Sequence, residues 1–363
     1  MVVNGQDPQQ SFLLGGMTLP FVSEYKYLGV VFDSHGGCRN HVSHVTRQGN
    51  QKFASCVSWA AREGLHVAWQ SRLFQSYVLP AFTYGSEFLL CNQNLLDAMN
   101  LQLRKWGRRI LGHPNGSPNP VVLLDLGWSD IQAMALKRAA SLCSRLTSRW
   151  QSDPRADLPS VVFAYASSQP DSWATSVRGL LSEANVPPME VAGIGPGAPR
   201  SVCRRWCQSA NPALDRSSIQ RSLQSVRAMD SLSEYLQYGA QLGLFIAAHS
   251  RRVSAADARE WGLARCGHHW CSDGRLARHS RLVEGCCLCS ASCGTLAHAL
   301  TECPGTADLR ASWLAQAWHR PYNFSLRDLF DPASIENVPA AVRFVASVCR
   351  RAGAARADGI RYQ

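Results

Sequence analysis

Four residues in the C-terminal third of the chain have the types and the spacing of a metal site. Cys286, Cys289, His298 and Cys303 follow the pattern C-x2-C-x8-H-x4-C. The first two cysteines suit a tight turn whose thiolates face one ion, and about one helical turn can bring His298 and Cys303 together. Three thiolates and one imidazole complete the tetrahedral shell of Zn(II) and leave no open position for a substrate. We therefore predict one structural zinc ion per chain, whose binding helps to fold a segment with little core.

Other thiols and imidazoles leave alternatives open around this motif. Cys287 and Cys293 lie inside it and could compete as ligands, or all of these cysteines could be ordinary thiols. Just upstream, four further donors occur without a standard zinc spacing, so that core or solvent-exposed roles are favoured and a second metal stays open. These donors are Cys266, His268, His269 and Cys271.

The charge of the chain favours a polyanionic partner. Its 363 residues contain 37 Lys and Arg against 26 Asp and Glu, which gives a formal net charge of +11. Nucleic acid is the first such partner and an anionic membrane surface the second, although arginine-rich composition alone could reflect a biased genome. No apolar run approaches the ~20 residues that span a bilayer, so we predict no membrane insertion.

Cysteine usage predicts a reducing compartment. Five of the 14 cysteines crowd into residues 286–303, and the N-terminus MVVNGQDPQQ has no basic segment followed by an apolar one. We therefore expect an intracellular protein, nuclear or cytoplasmic, with a local metal site instead of a secreted disulfide framework.

The elements that position these residues are predicted to be mainly helical. Phe12–Leu19 has the pattern of a hairpin turning at Gly15-Gly16, and Tyr25–Phe32 has the composition of a strand. Helical periodicity begins near residue 39 and resumes after each loop. The predicted helices are 39–60, 73–81 disturbed by Pro80, 94–111, 130–149, one near 172–184, 217–264, 307–318 and 339–352.

The predicted domains are consecutive along the chain. They are a residual β element at 1–38, a helical bundle at 39–150, a Pro/Gly-rich linker or insert at 151–216, and a helical C-terminal region at 217–363 that carries the zinc site. Many prolines and glycines in the third range argue against continuous regular structure.

A compact basic patch lies on the helix predicted over residues 94–111. Arg104, Lys105, Arg108 and Arg109 occur at i, i+1, i+4 and i+5. They could follow a phosphate backbone. Alternatively, they complement the helix macrodipole in its last turn and solvate the surface.

In their order and separation these features resemble the downstream part of a non-LTR, LINE-type retrotransposon reverse transcriptase. The segment Tyr25-Lys-Tyr-Leu-Gly-Val-Val-Phe-Asp33 is similar to the strand that follows the family's polymerase active site. Residues 40–127 are similar to its helical thumb, and the Cys286–Cys303 motif, followed by Pro304, is similar to its C-terminal CCHC knuckle. The resemblance covers residues 1–150 and 260–320 and says little about 151–260.

The resemblance implies a fold and roles for particular residues. Tyr27, Leu28 and Gly29 would form a primer-grip-like strand, and the basic patch would contact the phosphate backbone of a template–primer duplex. The knuckle would contact RNA or DNA through neighbours such as Trp270, Arg278 and Arg281.

The chain departs from this family where catalysis would occur. The palm aspartates that hold two metal ions, including a FADD-like pair, are absent, because no Asp-Asp pair occurs in the sequence. The family's Glu-Thr before the histidine is Gly294-Thr295 here. We therefore expect a non-catalytic nucleic-acid-binding fragment. The alternatives are one piece of an active RNA-directed DNA polymerase, with palm and fingers upstream or in trans, and an inert retroelement relic.

Overall fold

The structure is a computed structural model that describes most of the chain. It covers residues 12–19, 21–34, 37–149, 158–229, 232, 235–236, 252–274, 276, 285–316, 324–331, 335 and 337–361. Within these ranges the protein is mainly α-helical with two small antiparallel hairpins near the N-terminus, which confirms the predicted fold class. None of the described helices is both long enough and apolar enough to cross a membrane.

Two hairpins open the described chain. Strands β1 (Phe12–Leu14) and β2 (Met17–Leu19) pair antiparallel around Gly15-Gly16, as predicted. Strands β3 (Glu24–Tyr27) and β4 (Val30–Asp33) pair with Tyr27 opposite Val30.

The second hairpin corrects the prediction of one continuous strand over Tyr25–Phe32. Leu28 and Gly29 have φ values of 46° and 87°, so they form the two-residue turn between β3 and β4. Positive φ at both central residues is what a tight hairpin turn with the right twist requires. The composition on both sides of the turn predicts strands, and both strands are present. The turn itself was not predicted, because a branched side chain such as that of Leu28 rarely adopts a positive φ.

The remaining described elements are helices, and the connections between them differ in length. A five-residue π-helical segment, Phe74–Val78, joins α2 to α3 just before Pro80, and a 3₁₀ turn spans Ser86–Leu89. The α-helices are α1 (Arg39–Arg62), α2 (Val67–Leu73), α3 (Leu79–Phe82), α4 (Gln93–Leu111), α5 (Asn119–Leu126), α6 (Ile131–Arg149), α7 (Leu158–Ser168), α8 (Trp173–Glu183), α9 (Arg200–Arg227), α10 (Ala255–Arg265), α11 (Leu296–Thr301), α12 (Ala307–Leu314), α13 (Arg327–Phe330) and α14 (Val338–Arg361).

The helices α4, α6 and α8 lie where periodicity predicted them, whereas the range predicted as a linker differs. Residues 158–216 contain α7, α8 and the first part of α9. Pro159 lies in the first turn of α7, where its missing N–H costs no hydrogen bond, whereas Pro212 lies inside α9, which continues past it. Of the predicted helix over 217–264, residues 217–227 and 255–264 are helical, while most of 230–251 falls outside the described residues.

Two compact units can be distinguished by contacts, and both are discontinuous in sequence. The first comprises Met1–Trp59, Leu73–Leu103 and Ser129–Ser218. In it α6 packs against α7, α8 and the 3₁₀ turn. The core includes Phe74, Phe82 and Ile131, each fully buried.

The second unit contains the metal-site segment. It comprises Ala60–Arg72, Arg104–Trp128 and Ile219–Gln363. Its most extensive described helix pair is α10 against α14, and α14 also contacts α11, α12 and α13. Fully buried Trp261 and Phe330 lie in tilted ring contact, and Trp261 donates a hydrogen bond to the carbonyl of Leu329.

Candidate metal centre

A tight turn presents the first two cysteines of the site. The Ser290 N–H donates to the Cys286 carbonyl at 2.9 Å, and the Cys286 N–H donates to the Ala291 carbonyl at 2.7 Å. Ser290 has a positive φ of 59°, which reverses the chain and closes this loop. As a result, the side chains of Cys286 and Cys289 lie on the same side of the turn, as the C-x2-C spacing predicted.

A short helix presents the other two ligands. Thr295 is the N-cap of α11, and its hydroxyl accepts a hydrogen bond from the His298 N–H at 3.1 Å. The Cys303 N–H donates to the His298 carbonyl at 2.9 Å, directly after the helix ends. This capped turn of helix therefore fixes the separation between His298 and Cys303.

The four ligand atoms of Cys286, Cys289, His298 and Cys303 converge on one point. All lie within 4.8 Å of one another. The Sγ atoms of Cys286 and Cys303 are 3.7 Å apart, and Cys289 Sγ lies 3.3 Å from His298 Nε2. In a tetrahedral zinc site these separations would be about 3.8 Å and about 3.6 Å. The geometry thus fits one metal ion held by all four residues.

Close backbone approach around the site excludes side chains at two glycines. A Cβ atom on Gly294 would lie 2.1 Å from the Gly285 carbonyl oxygen, and one on Gly305 would lie 2.6 Å from that of Leu288. Both glycines therefore allow the segment before α11 and the segment after Cys303 to pack onto the cysteine turn. Any side chain at position 294 would push these segments apart.

The histidine is oriented for binding through Nε2. His298 Nδ1 lies 3.9 Å from the Glu302 carboxylate, one turn further along the chain, while Nε2 faces Cys289. A carboxylate behind a metal-binding imidazole fixes the ring and increases its basicity. The Glu302 carboxylate, however, lies beyond hydrogen-bond distance of Nδ1 and its side chain is 78% exposed, so it lies near the ring without fixing it.

Among the candidate ligands, the thiols of Cys289 and Cys303 have pKa values shifted in opposite directions. A hydrogen bond from the Ala291 N–H, followed by the contact with His298, lowers the pKa of Cys289 to about 7. Burial, followed by the contact with Cys289, raises the pKa of Cys303 to about 12. A metal cation at the centre would favour the thiolate form of both, since it is the thiolate that coordinates.

The structure resolves the competition among neighbouring cysteines. Cys287 points away from the ligand group, with its Sγ 3.8 Å from the Ala352 carbonyl, and Cys293 is exposed beside Thr295. Neither belongs to the group of four converging atoms.

In the part of the chain that the structure describes, the upstream donors form no second metal site. Among the described residues, the only convergent group of three or more His, Cys, Asp or Glu side chains is the one above. Cys266 is fully buried in an apolar cluster with Val121, Leu124 and Tyr235, and burial raises its pKa to about 12. The core role that the sequence favoured for Cys266 therefore applies.

The C-terminal helix α14 holds the loops around the site. Arg351 donates to the Gly305 carbonyl at 2.8 Å and pairs with Asp308, and Arg356 donates to the Gly285 carbonyl at 3.1 Å. Arg310 of α12 donates to the Cys303 carbonyl at 2.9 Å. These arginines donate charge-assisted hydrogen bonds to carbonyls beside the candidate ligands. They therefore link the site to the helices of its unit.

The predicted basic patch on α4 is smaller than the sequence suggested. Lys105 and Arg109 are exposed, and Arg104 is half-buried. Arg108 is buried and donates to the Ser117 carbonyl at 3.2 Å and to the Asn119 side chain, and burial lowers its pKa. Arg108 therefore stabilises the loop before α5, and a phosphate contact by Lys105 and Arg109 stays a prediction.

The aromatic and basic neighbours predicted for the knuckle are only partly described. Trp270 is half-buried, and its ring carbon lies 3.2 Å from the position of a Cβ on Gly353, so that it packs against α14. Arg278 and Arg281 lie outside the described residues.

Two exposed pairs of aromatic and basic residues were missed in the sequence. The Arg72 guanidinium lies over the exposed Trp69 ring, 5.2 Å from its centroid, in the second unit. Lys52 Nζ lies 4.1 Å from the centroid of the exposed Tyr77 ring in the first unit. The i, i+3 spacing of Trp69 and Arg72 was a local signal for the first pair, but the second joins α1 to the π-helical segment and had none.

The fold and the site define a mainly helical protein with a cluster of three cysteines and one histidine that could hold one metal ion. Comparison with known protein families, with curated proteins and with solved structures finds no match to this chain.

Proposed function

We propose that the protein is a non-catalytic nucleic-acid-binding protein whose C-terminal region is held together by one structural Zn(II). The observation that carries the proposal is the convergence of Cys286, Cys289, His298 and Cys303 within 4.8 Å. Four protein ligands fill a tetrahedral zinc shell, so the ion would have no open position for water or substrate. Such a site stabilises a fold and does not perform chemistry.

Charge and exposed side chains support nucleic acid as the partner. The formal net charge is +11, and Lys105 and Arg109 are exposed on the last turns of α4. Exposed aromatic rings with a cation nearby, such as Trp69 with Arg72, can stack on unpaired bases.

The resemblance to LINE-type reverse transcriptases supplies the biological setting of the proposal. In that setting the chain corresponds to the end of the palm, the thumb and the zinc knuckle, and acts inside the cell, in the nucleus or the cytoplasm. Palm and fingers encoded elsewhere would be a further partner. The absence of any Asp-Asp pair supports a binding role for the chain by itself.

The test measures zinc content and RNA affinity on the same purified chain. We compare wild type with the double variant Cys286→Ser/Cys289→Ser, and use Cys293→Ser, an exposed cysteine in the same segment, as the matched control. We expect about one zinc per chain in wild type and control, and a loss of zinc with weaker binding in the double variant.

A second pair of variants tests the phosphate contacts. The double variant Lys105→Gln/Arg109→Gln should bind RNA with a weaker salt dependence. The slope of the logarithm of the binding constant against the logarithm of the salt concentration should fall by about two, because each lost phosphate contact lowers it by about one. Arg62→Gln removes a cation that is 73% exposed and serves as the control. An unchanged slope would exclude α4 from the interface.

The outcomes separate the parts of the proposal. Absence of zinc from the wild-type protein would overturn the metal site, and zinc without RNA or DNA binding would overturn the nucleic-acid function. Nucleotide incorporation on a primed RNA template would contradict a non-catalytic role and favour the polymerase-fragment alternative.

A further inference from the structure

Three basic side chains meet on the surface of the first unit, where the β3–β4 hairpin lies beside α1. Lys26 of β3 has its Nζ 3.2 Å from His44 Nε2. Arg47, one turn further along α1, has a guanidinium nitrogen 3.5 Å from His44 Nδ1. The imidazole therefore lies between two cations, one at each ring nitrogen.

This arrangement lacks hydrogen-bond acceptors. Lysine and arginine only donate, and a neutral imidazole has one accepting nitrogen and one N–H. In either tautomer of His44, one of the two cations therefore faces an N–H group instead of an acceptor. Among the described residues, none of the three side chains forms an ion pair with a carboxylate within 4.0 Å.

A surface depression of about 390 Å³ opens beside His44 and Arg47. Its other lining residues are Glu24, Val31, Asn40 and Ser43. The Glu24 carboxylate accepts a hydrogen bond from Asn40 Nδ2 at 2.6 Å, so it is the one acidic group at the rim and is already engaged. The depression therefore offers space next to the Arg47 guanidinium and the His44 ring, and Lys26 contacts that ring from β3.

The surrounding groups keep His44 neutral. Burial lowers its pKa, and the charges of Lys26 and Arg47 lower it further. His41 accepts from the Val31 N–H through Nδ1 and contacts the Tyr84 carbonyl through Nε2, so its ring is held in place. Glu24 is the only described carboxylate lining the depression that opposes these charges.

We propose that Lys26, His44 and Arg47 form an oxyanion site that binds a phosphate group. Phosphate oxygens would accept from the Lys26 ammonium, the Arg47 guanidinium and an N–H of His44, and so supply the acceptors that the cluster lacks. Hydrogen bonds between charged donors and phosphate are stronger than neutral ones. Arginine and lysine from two different elements also fix the position of the group in a way that one flexible side chain cannot.

The phosphate can belong to a nucleic-acid backbone or to a free phosphate compound. Binding of inorganic phosphate does not depend on the nucleic-acid function proposed above, so each can fail without the other. Competition with a short single-stranded RNA distinguishes the two sources.

The experiment follows the His44 ring signals of the full chain by NMR during titration with inorganic phosphate. Phosphate replaces chloride in the buffer, so that the ionic strength stays constant. We expect saturable shifts and a raised pKa of His44, because a nearby anion stabilises the protonated imidazole. Lys26→Gln and Arg47→Gln should each weaken phosphate binding about tenfold, as expected for loss of a hydrogen bond to a charged group.

The matched control is Lys52→Gln. Lys52 also lies on α1 and carries the same charge, but it contacts the Tyr77 ring instead of the cluster. Phosphate affinity should stay at the wild-type value in this variant. Displacement of phosphate by RNA would assign the site to a backbone phosphodiester, and retention would assign it to a free phosphate compound.

Three results would overturn the oxyanion site. They are equal shifts with chloride and phosphate, no saturable shift with either phosphate or RNA, and equal loss of affinity in Lys26→Gln and Lys52→Gln. The first and third results would show that the shifts and the loss of affinity come from general charge screening and not from a specific site.

Discussion

Gly29 occupies a turn position where two constraints disfavour a side chain. Its φ of 87° favours glycine, and a Cβ atom there would lie 3.1 Å from the Tyr84 ring. The Tyr84 hydroxyl donates to the Leu28 carbonyl at 2.6 Å, which holds the ring over the turn. The Tyr-Leu-Gly segment is therefore fixed by a residue more than fifty positions away in the chain.

We predict that Gly29→Ala lowers the free energy of unfolding more than Gly64→Ala does. Both glycines have a positive φ, but no atom lies within 4 Å of a Cβ on Gly64. Backbone strain should cost about 1 kcal/mol at either site, and the tight contact with the Tyr84 ring should add to the cost at Gly29. Urea denaturation of both variants measures the difference, and equal losses would contradict a role for Tyr84.

Asp125 is the centre of a buried polar cluster in the second unit. It accepts hydrogen bonds from the Tyr235 hydroxyl at 2.8 Å and from Arg265 at 3.0 Å, and neither member of the Asp125–Arg265 ion pair is exposed to solvent. The Arg265 guanidinium also lies 4.7 Å from the centroid of the Tyr235 ring. Removal of the carboxylate would leave a buried cation without its counterion.

We therefore predict that Asp125→Ala destabilises the protein by about 3–5 kcal/mol. Asp308→Ala removes a carboxylate that pairs with Arg351 at the surface, and should have a much smaller effect because solvent screens that pair. Chemical denaturation with both variants tests this order. A loss for Asp125→Ala no larger than that for Asp308→Ala would show that the buried pair contributes little.

At the scale of elements, α14 supports the metal site from outside the ligand motif. Arg351 and Arg356 donate to carbonyls that lie within two residues of Cys303 and Cys286. Asp308 strengthens this link, because its hydrogen bonds with Arg351 lower the pKa of the carboxyl to about 2. The pair is therefore intact above the ordinary pKa of aspartate and is lost only as the pH falls through about 2.

We predict that Arg351→Gln weakens zinc binding by about tenfold, since residues behind the ligands typically affect metal affinity by 10–100-fold. Arg343→Gln is the matched control, because Arg343 lies on the same helix but contacts Gln316 and not the ligand loops. Competition with a chromophoric chelator measures both affinities. Equal affinities in the two variants would limit α14 to packing.

Local pattern was a good guide to some elements and a poor one to others. The helix α4 and the Gly15-Gly16 hairpin follow directly from periodicity and turn residues. The Leu28-Gly29 turn, α7 and the first part of α9 did not, since a turn with leucine at a positive φ and helices in a proline-rich range depend on packing partners. The helix α8 agrees with the helix predicted near 172–184, and it buries Ala174, Val177 and Leu181.

For the whole molecule, the metal is expected to stabilise one unit and not the other. All four ligands lie in the second unit, on residues 286–303. An ion that binds only the folded site stabilises it in proportion to the logarithm of its free concentration.

We predict that a strong chelator lowers the melting temperature and removes amide protection from residues 285–316 and from α14. Protection in α6 and α8, which belong to the first unit, should not change. The stabilisation by zinc should be smaller at pH 5 than at pH 7.5, because protons compete with the metal for three thiolates. Hydrogen exchange at both pH values tests this, and equal loss of protection in α6 would contradict a local effect.

The sequence by itself determined the mainly helical class, the basic charge and the set of candidate ligands, because periodicity, composition and ligand spacing are local properties. Only the tertiary structure decided which cysteines take part. Cys287 and Cys293 are as close in sequence to the ligands as these are to one another, but the turn at Ser290 and the capped helix α11 direct them elsewhere. The tertiary structure also decided that Arg108 is buried and that Lys26 and Arg47 both contact His44. Burial and contacts between distant residues depend on how the elements pack.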